Sequence, residues 1–305
     1  MSLFSKNKKH IWTHIAEPTT QQLQEIIQVY DLHSIVEDDL LSWVIQDKVD
    51  SYDDHLFIVV HFPKYDSAQD KYYANALFII ITKDAIVTIS KHPIEKLRVL
   101  HEAYENTDHT HKDDLMRSPY YMLYKIFDVM YDKVLVSLGK FAKDVQFLEQ
   151  DLFNRQRLNS KILSHLIVKR RNIIFVNHML APQSEILSEL HTAVVKVLEK
   201  DGDVYFEDLQ YKFDKIMHTI QTVNENTRSL STTYNALANI QTNSVISLLT
   251  IFTATIGILA VITGLYGMNV PLPGQGSPYA FPVIMWLMGL FLVGGLIFAK
   301  RNDRR

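Results

Sequence analysis

Residues 245–266 read VISLLTIFTATIGILAVITGLY, and a second apolar run, VIMWLMGLFLVGGLIFA, follows at 283–299. The first run has about the 20 residues that a helix needs to cross the hydrocarbon core of a bilayer, and the second is near the lower end of that range. The link at 269–282 is rich in proline and glycine, so it cannot continue either helix. The two runs therefore predict a hairpin of two transmembrane helices whose outer ends lie on one side. The alternative interpretation is two buried core helices of a soluble protein.

Charge is distributed unevenly along the 305-residue chain, in which 31 Lys and Arg and 34 Asp and Glu give a formal net charge of −3. No Asp, Glu, Lys or Arg occurs between Arg228 and Lys300, whereas the preceding sequence is dense in both signs. This pattern indicates a soluble domain attached to a membrane anchor. The near balance of charge gives no reason to expect a nucleic-acid partner. The absence of cysteine excludes disulfides and thiolate metal sites.

The flanks of the apolar runs predict their orientation. Lys300, Arg301, Arg304 and Arg305 follow the second run, whereas the link carries no charge. By the positive-inside rule, both termini are then cytoplasmic and the link faces the outside. Residues 1–17 contain lysines with no apolar run behind them, so they do not predict a secretory signal. We expect a multi-pass protein of the cell (inner) membrane.

The soluble part is predicted to be of mixed structure. Short β-branched runs at 56–60 and 77–81, and the segment 85–90 after a turn, predict strands, the last two forming a hairpin. Apolar residues at steps of three and four predict helices. These helices are expected at 19–30, 94–105, 118–153 and 203–266, the last about 95 Å long at 1.5 Å per residue.

The fold class that follows is α+β, with an N-terminal cytoplasmic α/β domain, a long stalk helix and two C-terminal transmembrane helices. The predicted regions are the α/β domain (1–117), a long helical hairpin (118–202), the stalk helix continuing into the first span (203–267), an external loop (268–282), the second span (283–299) and a basic tail (300–305).

The long helix carries a face of small, mostly polar residues that continues into the membrane. Its members step by three or four positions and so lie on one side of the helix. A polar face at bilayer depth needs water or protein against it. Either several copies of the chain surround a water-filled axis, or the face is a helix-packing surface of small residues; both require oligomerisation. The face comprises Thr222, Glu225, Ser229, Thr232, Ala236, Asn239, Asn243, Ile246, Thr250, Thr253, Gly257, Ala260 and Gly264.

Four residues that end the first span, Tyr266-Gly267-Met268-Asn269, are similar to the signature of the CorA magnesium transporter family. The tripeptide Gly267-Met268-Asn269 alone is weak evidence for the family. Its position after a long helix and before a last span makes the resemblance specific. Four other stretches also resemble the family, so the likeness covers most of the chain. They are LHSIVED at 32–38, DHLFIV at 54–59, APQ at 181–183 and YFED at 205–208.

The resemblance implies a homopentamer in the lipid bilayer, with a central pore lined by the first span of each chain. It implies a selectivity filter at Tyr266, Gly267, Met268 and Asn269. Mg²⁺ dehydrates reluctantly, and an Asn carbonyl can accept hydrogen bonds from the waters that the ion keeps. The pore wall would comprise Asn243, Ile246, Leu249, Thr250, Thr253, Gly257, Ala260 and Gly264.

The same resemblance implies that Mg²⁺ is the cargo, with Co²⁺ or Ni²⁺ as further candidates, and that the membrane potential drives it inward. Mg²⁺ would also act as a regulatory ligand, bound by carboxylates between neighbouring cytoplasmic domains. Asp208 matches the stalk residue of that site, and Asp66 or Asp70 is the suggested partner. Plain solvation is the alternative for either of these two.

Two features depart from the family pattern. Residues 270–281 contain no acidic residue that could concentrate cations at the outer mouth, and Gly257 replaces a bulky apolar side chain. A hydrophobic constriction gates by dewetting, so the gate would rest on Ile246 and Leu249.

Two other functions remain open. A zinc transporter of the same architecture, like the ZntB branch, typically has Ile in place of Met268, although the 13 histidines favour it. His109 and His111 beside Asp108 suggest either a transition-metal site or a solvated loop. A membrane-anchored sensor that conducts nothing is the second alternative. No nucleotide-binding or hydrolase motif is present, so we expect no enzyme.

Overall fold

The computed structural model describes residues 11–43, 46–106, 118–154, 160–198, 203–270, 274 and 276–302. The chain divides into two compact units, Met1–Leu230 and Ser231–Arg305.

Within the described residues of the first unit, five strands form one sheet in the order β1-β5-β4-β3-β2. β1 pairs with β5 in parallel, and the other neighbours are antiparallel, as predicted for the β4–β5 hairpin. β3 and β4 extend well beyond their apolar runs because the residues after the β3 run pair with the residues before the β4 run and continue the ladder. The strands are β1 (Trp12–Ala16), β2 (Lys48–Ser51), β3 (His55–Asp66), β4 (Lys71–Thr82) and β5 (Ile86–Ser90).

One face of the sheet is covered by α1 (Thr20–Val29) and α2 (Ser34–Ser42). Thr19 starts α1 with a capping box, in which its hydroxyl accepts from the Gln22 N–H. Alternate residues of the central strands fill this core, as expected for side chains that point to opposite faces of a strand. The core contains Phe57, Val59, Phe78, Ile80, Val87 and Ile89 with Leu23, Ile26, Val36 and Leu40.

The opposite face meets α4 (Pro119–Asn154), where the rings of Phe127 and Tyr131 lie 6.5 and 6.0 Å from the ring of Phe62. The proline at the first position of α4 suits a helix start. The remaining helices of this region are α3 (Glu95–Asn106), α5 (Ser160–Leu180) and α6 (Gln183–Leu198).

The helical hairpin predicted for 118–202 therefore contains a third helix in the described residues. The turn at Ala181 and Pro182 ends α5 and starts α6, because proline removes a backbone donor and disfavours a helical residue before it.

The longest helix, α7 (Asp203–Tyr266), has the predicted bounds, and its first part packs on α4 within the first unit. The rings of Phe213 and Tyr131 lie 5.6 Å apart. The last helix, α8, spans Ala280–Asn302. It begins three residues earlier than predicted, because Pro282 falls in its first turn, where a proline costs no hydrogen bond. Among the described residues, α7 and α8 each contain a window long and apolar enough to cross a membrane.

Candidate functional site

In the second unit, α7 and α8 pack through narrow ridges. Half-buried positions on α7 recur every three or four residues, and the covered positions on α8 are four or seven residues apart, so each set lies on one side of its helix. The closest approach is at Gly295, where an added Cβ would lie 2.5 Å from the Thr255 hydroxyl oxygen. The ridge positions are Ser247, Ile251, Thr255, Leu259 and Ile262 on α7, with Ile284, Met288, Gly295 and Ala299 on α8.

The predicted pore wall lies on the other side of α7. At 100° per residue, its eight members lie about 120–180° around the helix from Thr255. All eight are exposed, including the apolar Ile246 (55%) and Leu249 (65%). Packing between α7 and α8 therefore uses a different face and does not account for this stripe.

The stripe offers small, hydrogen-bonded polar groups. The hydroxyls of Thr250 and Thr253 donate to the carbonyls of Ile246 and Leu249, at 2.9 and 2.8 Å. Their donor capacity is thus used by the helix itself, and the oxygen remains available as an acceptor. At Gly257 and Gly264, an added Cβ would meet nothing within 4 Å, in contrast to Gly295.

The predicted filter residues follow directly from the end of α7. The Gly267 N–H donates to the carbonyls of Thr263 and Gly264, at 2.9 and 3.3 Å, which closes the helix. A Cβ at Gly267 would lie 3.2 Å from the Thr263 carbonyl oxygen, so a larger residue would crowd this turn. The side chains of Tyr266, Met268 and Asn269 are all exposed, and Asn269 stands just beyond the last turn.

The predicted regulatory residue Asp208 lies on an exposed side of α7 in the first unit. The hydroxyl of Tyr124, on α4, donates to its carboxylate at 2.9 Å. Burial and this hydrogen bond raise the pKa of Tyr124, so the phenol stays protonated as the donor. One turn further along α7, Lys212 pairs with both Asp128 and Asp132 of α4. Sequence reasoning did not find Tyr124, because a phenol has no spacing signature.

The suggested partner carboxylates close the β3–β4 hairpin. Asp66 accepts a hydrogen bond from the Ala68 N–H at 2.9 Å, and Asp70 accepts from the Tyr65 hydroxyl at 2.5 Å. In the parts of the chain that the structure describes, no group of three or more His, Asp or Glu is arranged to hold a metal ion. Asp208 and Asp66 thus form no complete site within one copy. The histidines at 109 and 111, with Asp108, lie outside the described residues.

A mixed-sheet domain, one long helix and two apolar C-terminal helices define this chain as a membrane protein whose first span carries an uncovered polar stripe. The model of the CorA-like Mg²⁺ transporter protein family matches residues 7–301. The chain therefore belongs to that family, as the resemblance of Tyr266-Gly267-Met268-Asn269 predicted, and it is a CorA-family divalent-cation transporter of the membrane. The family is one of transporters rather than of enzymes.

Individual relatives agree with this assignment. The cobalt/magnesium transport protein CorA of Thermotoga maritima is 25% identical over 285 residues, which cover 93% of this chain and 80% of the relative. The complete structure of the CorA magnesium transporter from Methanocaldococcus jannaschii has a TM-score of 0.80 at 20% identity, covering 95% of this chain and 90% of that one. The ZntB cytoplasmic domain from Vibrio parahaemolyticus has a TM-score of 0.62 at 14% identity, covering 77% of this chain and 92% of that domain. The two structural likenesses concern the fold.

Proposed function

We propose that five copies of the chain form a pore that conducts hydrated Mg²⁺ into the cell, with Co²⁺ or Ni²⁺ as further cargo. The observation that carries the proposal is the stripe on α7, which is exposed on the side opposite to Thr255 and the α8 contact. A polar face at bilayer depth needs water or protein against it. Copies arranged around an axis supply both, since each stripe then faces a shared water-filled lumen.

Asn269 would select the ion. Five carboxamide oxygens at the end of the α7 helices would accept hydrogen bonds from the waters around Mg²⁺ without removing them. A neutral ring holds a divalent ion more weakly than a carboxylate ring would, and conduction requires an ion that leaves again. Asn243 would form a second ring towards the other end of the span.

The membrane potential would supply the driving force. Moving a divalent ion down 100 mV is worth about 4.6 kcal/mol. The segment 270–281 carries no acidic residue, so attraction of cations to the mouth would be weaker than with a carboxylate there. The closed gate would rest on Ile246 and Leu249, exposed apolar side chains of the same stripe that can exclude water from a narrow pore.

Regulation by intracellular Mg²⁺ would act through Asp208 of one copy and a carboxylate such as Asp66 of the next. Both carboxylates are exposed or half-buried and near the surface, where an ion could bridge two copies. In this chain, a bound ion would compete with the hydrogen bond that Tyr124 donates to Asp208.

Zn²⁺ transport is the second candidate, because the cytoplasmic domain of a ZntB protein has the same fold as the first unit. Met268 argues against it, since the zinc branch typically has isoleucine there. A non-conducting sensor is the third candidate, and the uncovered polar stripe argues against it.

The test is ion entry into liposomes that contain the purified full-length protein, with the interior held at negative potential. Mg²⁺, Co²⁺, Ni²⁺ and Zn²⁺ are supplied in turn and followed with internal dyes. Asn269→Ala is compared with Ser277→Ala, a control in the same segment after α7. We expect Mg²⁺ entry in the wild type and the control, and a reduction of at least about tenfold with Asn269→Ala.

Each outcome assigns the function. Zn²⁺ entry without Mg²⁺ entry would move the chain to the zinc branch. If Mg²⁺ entry were unchanged in Asn269→Ala, Asn269 would not form the selectivity filter. If a folded oligomer conducted none of these ions, the non-conducting sensor would be the remaining candidate function.

A further inference from the structure

The carboxylate of Asp208 has a neutral partner. It is exposed on α7, and the hydroxyl of Tyr124, on α4, donates to its Oδ2 atom at 2.9 Å. Within the described ranges, no lysine, arginine or histidine nitrogen lies within 4 Å of this carboxylate. A phenol satisfies one acceptor position of a carboxylate without cancelling its charge. The negative charge of Asp208 therefore remains available to a cation.

The next two carboxylates along α4 are paired with cations instead. Asp128 pairs with Lys212 of α7 and lies 3.6 Å from the Lys125 ammonium. Asp132 pairs with the same Lys212 at 2.9 Å. These pairs join α4 to α7 about one turn beyond the phenol, and both carboxylates already have a positive partner. Asp208 differs from them in this respect.

The ring of Tyr124 is held by neighbours that do not contact its hydroxyl. The centre of the ring lies 4.8 Å from that of Tyr205 on α7 and 5.9 Å from that of Tyr121 on α4. The ammonium of Lys125 lies 5.1 Å from the ring centre, in a cation–π contact. Packing thus fixes the ring before the hydrogen bond forms, so the hydroxyl is presented to Asp208 with little further loss of side-chain entropy.

We propose that Tyr124 is a positioning residue that sets the Mg²⁺ concentration at which the regulatory site fills. This role rests on the proposed binding of Mg²⁺ at Asp208. In the ion-free chain, the hydrogen bond stabilises the carboxylate against the domain of its own copy. An ion that bridges Asp208 to the next copy draws the carboxylate away and takes its lone pairs, directly or through bound water. The hydrogen bond is then lost, so the ion-free state is favoured by the free energy of that bond.

The test measures Mg²⁺ binding to the full-length protein in detergent, after removal of divalent ions by chelation and at constant ionic strength. The half-saturating Mg²⁺ concentration is obtained from isothermal titration calorimetry and from the rise in melting temperature. Tyr124→Phe removes the hydroxyl and keeps the ring. Asp208→Asn removes the charged ligand, and the double variant combines the two changes.

The matched control is Tyr121→Phe, which removes a phenol hydroxyl one turn earlier on α4. The ring of Tyr121 contacts the same two neighbours, with its centre 5.7 Å from that of Tyr205 and 5.7 Å from the Lys125 ammonium. Among the described residues, its hydroxyl makes no hydrogen bond. It therefore reports the effect of losing a hydroxyl from this cluster without the bond to Asp208.

We expect Tyr124→Phe to lower the half-saturating Mg²⁺ concentration about 3- to 10-fold, the size of one exposed hydrogen bond to a charged group. Tyr121→Phe should match the wild type. Asp208→Asn should lose this binding, and adding Tyr124→Phe to it should change nothing more, because the hydroxyl acts only through Asp208. In liposomes, Mg²⁺ inside should inhibit entry through Tyr124→Phe at correspondingly lower concentrations.

An unchanged or higher half-saturating concentration in Tyr124→Phe, with binding lost in Asp208→Asn, would overturn the role of Tyr124 and leave the regulatory site in place. A fall of equal size in Tyr121→Phe would also overturn it, because the effect would then come from a loosened ring cluster. Identical Mg²⁺ titrations of the wild type and Asp208→Asn would instead refute the regulatory site at Asp208, and the role of Tyr124 with it.

Discussion

Gln183 is a fully buried carboxamide at the start of α6 that joins three parts of the first unit. Its amide donates to the Asp47 carboxylate at 3.1 Å and to the His61 carbonyl at 2.7 Å. Its own oxygen accepts from the Tyr131 hydroxyl at 3.3 Å. We expect Gln183→Ala to lower the free energy of unfolding by about 2–3 kcal/mol, because it leaves buried partners unsatisfied. The measurement is urea unfolding followed by tryptophan fluorescence.

The matched control is Gln28→Ala, at an exposed position of α1, which should change stability by less than about 0.5 kcal/mol. Coincident unfolding curves for the two variants would show that the network around Gln183 contributes nothing.

His14 makes the first unit sensitive to acid. Burial and, to a smaller extent, charge repulsion with His101 lower the pKa of His14 from 6.5 to about 4, and a hydrogen bond with the Thr88 backbone partly opposes this shift. The rings of His14 and His101 are 6.0 Å apart, with Trp12 and Tyr104 beside them. In the folded state His14 thus stays neutral at a pH where the unfolded chain takes up a proton. Stability is therefore full above about pH 6.5 and is lost as the pH falls towards 4, by up to about 3 kcal/mol.

The dependence should flatten in His14→Gln, because the group that is protonated only on unfolding is gone. Melting temperatures measured between pH 4 and pH 8 test this, with His165→Gln as the control for loss of an exposed imidazole. An unchanged acid profile in His14→Gln would assign the sensitivity to other groups.

At the scale of elements, the contact between α7 and α8 depends on one glycine. A Cβ at Gly295 would lie 2.5 and 3.1 Å from the Oγ1 and Cγ2 atoms of Thr255, whereas a Cβ at the adjacent Gly294 would meet nothing within 4 Å. Small residues allow helices in membranes to approach closely. We expect Gly295→Val to destabilise the second unit by about 1–3 kcal/mol and Gly294→Val to have little effect. Melting temperature in detergent separates them, and equal losses would refute the close contact.

The helices differ in how far the sequence could define them. Between Asp203 and Gly257 no proline or glycine interrupts α7, so periodicity predicted one continuous helix, and the length of the apolar run predicted its end at Tyr266. The predicted start of the last helix, at 283, is three residues later than the observed start of α8 at Ala280. Pro282 was interpreted as a residue that breaks helices, but it lies in the first turn of α8, where proline is tolerated. The contact of Gly295 with Thr255 and the network of Gln183 could not be predicted, since both depend on which residues meet in space.

The candidate site shows the same division. The uncovered stripe on α7 follows from spacing within one helix, so its side chains were predictable as a set. The hydrogen bond from Tyr124 to Asp208 joins residues 84 positions apart, and no local pattern encodes it. The ring of five Asn269 side chains requires other copies of the chain, so it remains a prediction.

At the scale of the whole molecule, charge is the organising feature. No charged side chain occurs between Arg228 and Lys300, apart from those two residues themselves. Four basic residues then follow the second span, at positions 300, 301, 304 and 305. Positive residues flanking a span are retained on the cytoplasmic side. Two spans then return the chain to the side from which it started, so the first unit and the C-terminus should both be cytoplasmic.

Because the natural sequence contains no cysteine, single cysteines can report this topology without background. Ser277→Cys lies in the segment between α7 and α8, and Ser188→Cys lies at an exposed position of α6. In intact cells, a maleimide that cannot cross membranes should label Ser277→Cys, and Ser188→Cys should react only after permeabilisation. Labelling of Ser188→Cys in intact cells, with Ser277→Cys protected, would invert the orientation. Mg²⁺ moving down the membrane potential through the proposed pore would then leave the Asn269 ring last rather than meet it first.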